Sequence, residues 1–141
     1  MPLSKEAKLV SGITILIIPT IMYGGWTLLG YLTRGAASPM PGNLHLDETQ
    51  WALWRAGHAH AGVWTVLSLL LQVFLDSARL PSALRWLARI CAPLAAVALS
   101  AGFFGVAFSV AFRWLIYTGA LGMLVAVLTT GIGLLRNLRV D

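Results

Sequence analysis

Arg55-Ala56-Gly57-His58-Ala59-His60-Ala61-Gly62 opens an uncharged run that continues to Leu75 and stops at Asp76. From Ala56 to Leu75 no residue carries a formal charge, and a helix needs about 20 such residues to cross the hydrocarbon core of a bilayer. Two of the three histidines of the chain sit inside that run. An imidazole within a membrane segment costs free energy unless it has a partner or a task. Gly57, Ala59, Ala61 and Gly62 around the pair are small, and leave room for a flat cofactor or for the close approach of another helix.

The pattern repeats on both sides of this stretch. Leu9 to Thr33, Ile90 to Phe112 and Trp114 to Leu135 are also free of formal charge. These runs predict helices over about 9–33, 51–75, 84–108 and 114–135, in one transmembrane domain. The fold class is all-α, an integral membrane four-helix bundle. The composition agrees: over 141 residues it is 58% apolar and 11% charged, with a mean hydropathy of +0.80, which excludes an ordinary water-soluble domain. The first run is too long for the apolar core of a signal peptide and is expected to stay in the mature protein.

Smaller features refine this outline. Pro19 removes a backbone donor inside the first helix, and Gly24-Gly25 offers a flat place for another helix to approach. Tyr23, Trp26 and Tyr31 read as interfacial anchors. Arg34 to Gln50, with Pro39, Pro41 and Gly42, reads as a long external loop whose Asp47 or Thr49 caps the second helix. His45 in that loop is a solvated residue or a distant second ligand. Gly119, Gly122, Gly131 and Gly133 are close-packing candidates in the fourth helix.

The net charge of +5 does not indicate nucleic acid, because the basic residues separate apolar runs and do not line one face. Lys5, Lys8, Arg79, Arg85, Arg89, Arg136 and Arg139 fall on one side of the bundle, against Arg34, Arg55 and Arg113 on the other. Seven against three predicts both termini in the cytoplasm, with the bacterial inner membrane as the expected location. The single Cys91 rules out an intramolecular disulfide and reads as a small core residue.

Residues two apart on a helix are separated by about 200°, so His58 and His60 face nearly opposite ways and do not grip one metal together. Zinc is a poor fit, since no His-x-x-x-His, cysteine pair or embedded carboxylate completes a tetrahedral site. A haem asks less of the chain: one axial imidazole, small residues beside the porphyrin and a cation near the propionates. Arg55 is the candidate cation, and Trp51, Trp54 and Trp64 are candidate walls. The competing reading is that the histidines and Arg55 are interfacial polar residues capping a helix end.

Trp54-Arg55 ahead of Ala59-His60-Ala61-Gly62 resembles the Ala-His-Ser-Gly region of the styrene oxide isomerases, small four-helix membrane enzymes that hold haem b between the subunits of a trimer. Tyr23-Gly24-Gly25-Trp26, the basic connection from Asp76 to Leu80 and Gly102-Phe103-Phe104 extend the resemblance over most of the chain. It implies His60 as the iron ligand, with His58 as close competitor, and cofactor-binding roles for Arg55, Gly62 and Trp64. It also implies a homotrimer embedded in the lipid bilayer.

In that family ferric haem acts as a Lewis acid that rearranges a small apolar epoxide to a carbonyl compound. The family's pocket asparagine and tyrosine correspond here to Val66 and to Phe103 or Phe104, which cannot hydrogen-bond an alkoxide. Thr65, Ser68, Ser100 and Tyr117 are the possible substitutes, and no catalytic residue is assigned. The expected functions are therefore a haem-dependent isomerase, a non-catalytic haem or gas-binding protein, or a structural bundle without cofactor.

Overall fold

The computed structural model describes residues 2–34 and 45–138. Pro39, Pro41 and Gly42 of the expected loop, and Arg139 of the charge count, lie outside the described residues. Four α-helices follow one another: α1 (Lys5–Arg34), α2 (Glu48–Ser77), α3 (Ser82–Val106) and α4 (Arg113–Asn137), with a single 3-10 turn at Val110–Phe112 before α4. All four are long and apolar enough to cross a membrane. At a rise of about 1.5 Å per residue, the 30 residues of α2 extend about 45 Å, more than the roughly 30 Å hydrocarbon core.

α2 starts three residues earlier than its apolar run predicts, and the reason is a capping box. Asp47 accepts from the Gln50 backbone N–H at 2.8 Å, while the Gln50 side chain accepts from the Asp47 N–H at 2.9 Å. Gln50 Nε2 also donates to the Ala107 carbonyl at 2.8 Å, which ties the start of α2 to the end of α3. Between these ends the polar residues Asp47 to Gln50 belong to the helix terminus and not to the loop.

α3 is the central helix. Ala88, Ala92, Ala95 and Ala96 are buried along it at helical spacing, and this smooth stripe lets α2 and α4 approach closely. Leu71, Leu75, Met123 and Ala126 complete the core between the three helices. Gly119 and Gly133 of α4 sit where side chains would not fit: a Cβ would lie 2.7 Å from the Leu99 backbone nitrogen and 2.6 Å from Leu80 Cγ, respectively. Gly122 makes ordinary contact and Gly131 faces open space, so two of the four candidates serve packing inside the chain.

α1 packs mainly on α2 and only lightly on α3. A polar clasp holds its first turn. Asp76, near the end of α2, accepts from the Ser4 N–H at 2.8 Å and from Ser4 Oγ at 2.7 Å, and pairs with Arg89 of α3. Arg89, 1% exposed, also donates to the Gln72 carbonyl and side chain at 3.3 and 3.2 Å. The sequence reading took Arg89 as a topology signal. Its charge is neutralised inside the bundle by Asp76.

Candidate functional site

The capping box moves the histidine pair deep into α2. The helix begins at Glu48, so His58 and His60 lie ten and twelve residues in, near the middle of a 30-residue helix. Only the first four N–H groups of a helix lack partners, and Asp47 already serves that end. The histidines therefore do not cap the start of α2, which Asp47 serves.

The two rings occupy different sides of α2. His58 lies against α1 at the flat place made by Gly24-Gly25: a Cβ on Gly25 would lie 2.9 Å from His58 Nε2, and one on Gly24 3.7 Å from Nδ1. That ring borders a cavity among α1, α2 and α3. His60 instead stacks on Phe103 of α3, with ring centroids 4.8 Å apart and planes inclined by 27°. Together with Ala59, Val63 and Trp64 it lines a shallow groove of about 150 Å³ on the surface of the chain.

The protonation of His60 follows from its partner. Nδ1 lies 2.7 Å from the Ala56 carbonyl, one turn back. A carbonyl only accepts, so Nδ1 carries the proton and donates it. No protein group among the described residues engages Nε2. Imidazoles that ligate metals are almost always oriented by a donation from the other ring nitrogen to a carbonyl, carboxylate or water. With Phe103 stacked on one face, both the tautomer and the plane of His60 are set before any ligand arrives.

The remaining candidates separate. Trp64 is beside His60, with centroids 6.1 Å apart. Trp51 stacks on Tyr31 of α1 at 3.7 Å, and Trp54 packs edgewise on Phe104 of α3 and on Phe108 just beyond its end. Tyr31 is thus a packing residue as well as a residue near the helix end. Arg55 is exposed and lines a third groove with Glu48 and Trp51, apart from the groove of His60. Gly62 faces open space.

Of the possible polar substitutes, Thr65 and Ser100 border the His58 cavity, Ser68 is fully buried, and Tyr117 is exposed on α4. Val66 is exposed, while Phe103 and Phe104 serve His60 and Trp54. His45 is exposed ahead of α2, and Met123 is in the core. No group of three or more His, Cys, Asp or Glu side chains comes together among the described residues. A metal held by protein side chains alone has no site there, whereas a haem brings four of its own nitrogens and needs one imidazole.

The residue that sequence reading missed here is Phe103. It was weighed for what it could not donate, and its contribution is the face that holds the imidazole. Comparison of the chain with protein-family models, curated proteins and solved structures finds no match, so the case for function stands on this geometry.

Proposed function

We propose that this chain is an integral membrane haem b protein with His60 as the axial ligand. The observation that carries the proposal is the single-sided engagement of His60, Nδ1 donating to the Ala56 carbonyl and Nε2 unengaged beside an open apolar groove. A half-buried imidazole within an apolar helix, with one nitrogen unused, is expected to have a partner. His60 would bind the iron, the Ala56 carbonyl and Phe103 would orient the ring, and Val63 and Trp64 would keep water from the ligated side.

Bound ferric haem would supply a Lewis-acidic iron. The groove residues around His60 contribute no acid or base of their own. That suits the rearrangement of a small apolar epoxide, in which no net proton transfer is needed, and it suits simple ligand binding equally well. Turnover of an aryl epoxide by the loaded protein divides an isomerase from a haem or gas carrier.

An absorption spectrum of the purified chain tests the haem reading. A Soret band with one haem per groove is the expected result, and a protein that stays colourless after haem is offered in detergent would refute it.

A groove of about 150 Å³ covers only part of a macrocycle, so the proposal extends to a symmetric oligomer, a trimer, with the haem between chains. Gly12 and Gly30 of α1, Gly62 of α2 and Gly131 of α4 all face open space where a neighbouring helix can approach closely. Both termini would lie in the cytoplasm of a bacterial cell, by the charge asymmetry. Mass measurement in mild detergent with haem retained is expected to give three chains; a monomer that keeps its haem would count against the assembly.

A further inference from the structure

The cavity among α1, α2 and α3 opens on the other side of α2 from His60. It holds about 300 Å³, at the lower end of the range that takes a small organic ligand. Ile17, Val97 and Phe104 are among its apolar walls, and four polar side chains reach it: Thr20, His58, Thr65 and Ser100.

The four differ in what they have left to give. Thr20 Oγ1 donates to the Ile17 carbonyl at 2.6 Å, and Ser100 Oγ donates to the Ala96 carbonyl at 2.8 Å. Both oxygens can then only accept from anything in the cavity. Thr65 breaks the pattern of its kind. Thr14, Thr27, Thr118 and Thr130 each donate to the carbonyl four residues back. Thr65, 6% exposed, has no hydrogen-bond partner among the described residues, and neither does the ring of His58. The Thr65 hydroxyl is left to a ligand in the cavity, which would gain a hydrogen bond by engaging it.

The donor and acceptor balance selects the ligand. No Asp, Glu, Lys or Arg lines the cavity, which excludes a charged molecule on desolvation grounds. The Thr65 hydroxyl and the His58 ring each have hydrogen-bonding capacity to spare, while two hydroxyl oxygens with committed protons can only accept. An ether or ketone would leave them unmet, whereas an O–H donor satisfies one and accepts from Thr65. We propose that this cavity binds a neutral phenol that partitions from the bilayer, its ring against Phe104 and its hydroxyl among His58, Thr65 and Ser100. The site does not depend on haem at His60.

4-tert-Butylphenol and its methyl ether differ only in the donor, and their binding to the full chain in detergent is read by equilibrium dialysis against protein-free micelles. The expected result is one saturable phenol per chain, with the ether bound about tenfold more weakly, the value of one hydrogen bond. Ala61→Phe fills the cavity and is expected to abolish saturable binding. Thr65→Val keeps the shape of the wall and is expected to weaken the phenol about tenfold, which keeps the test open should the larger side chain prevent folding. His60→Ala is expected to leave the phenol affinity unchanged, so failure of the haem reading does not touch this one. Equal binding of phenol and ether, or wild-type phenol affinity in Thr65→Val, would overturn the proposal.

Discussion

His60→Ala is expected to abolish the Soret band of the haem-loaded protein. The groove offers no second ligating side chain: Ala59, Val63 and Trp64 are its other lining residues, and His58 sits against α1. Loss of the imidazole thus removes the whole protein contribution to iron coordination. Phe103→Ala keeps the ligand and frees its ring; disturbing such supporting groups typically costs 10–100-fold in metal affinity, so a weakened but recognisable band is expected. His58→Ala and Arg55→Ala alter other parts of the surface and should leave the band in place. Should His58→Ala be the variant that loses it, the ligand faces α1 and the groove is wrongly assigned. A band that survives in every variant would sink the assignment of His60 as the iron ligand.

Asp76→Ala is expected to give the largest loss of stability. Arg89 is 1% exposed and its Nε already lacks a hydrogen-bond partner, so removal of the carboxylate leaves a buried guanidinium charge with only Gln72 and Ser4 for company. Breaking a buried pair in this way costs about 3–5 kcal/mol. The change also frees Ser4, through which α1 is pinned to the other helices. Unfolding in detergent by circular dichroism measures the loss. The double variant Asp76→Leu with Arg89→Met removes both charges and is expected to recover most of it, because an apolar pair of similar volume often replaces a buried ion pair at little net cost. A single variant within about 1 kcal/mol of wild type would mean that Arg89 reaches water.

The four helices were legible because uncharged runs long enough to span a bilayer are hard to read in any other way. The ends were legible only in part. Asp47 and Thr49 were both candidate caps for the second helix, and the reciprocal bonds of Asp47 with Gln50 decide for Asp47. The opposite facing of His58 and His60 followed from helical geometry, but the neighbour that each would meet depends on helix rotation, which spacing alone does not set. The tryptophans illustrate this: Trp51, Trp54 and Trp64 looked like one wall and go to Tyr31, to Phe104 and Phe108, and to His60, respectively.

Arg89 had a signal that went unused. Gln72 and Asp76 lie one helical turn apart and place a polar side chain and an anion on one face of an apolar helix. Such a face calls for a partner. The nearest basic residues across the short connection are Arg79, Arg85 and Arg89, and choosing among them required knowing which face of α3 turns inward.

The clasp at Asp76 also sets an order of assembly. Ser4 and Arg89 meet across 85 positions of chain, and at about 5–20 residues per second a ribosome takes roughly 4 to 17 s to deliver the second after the first. Until then Asp76 has no cation, and the first two helices share a pair interface whose acidic end is unfilled. Emergence of the third helix supplies the missing charge and adds a contact from Arg89 to the two that Ser4 makes with Asp76. Ser4 and Asp76 are therefore both made before the cation that joins them, so a nascent chain halted before Arg89 should leave Ser4 more open to labelling than the finished protein does.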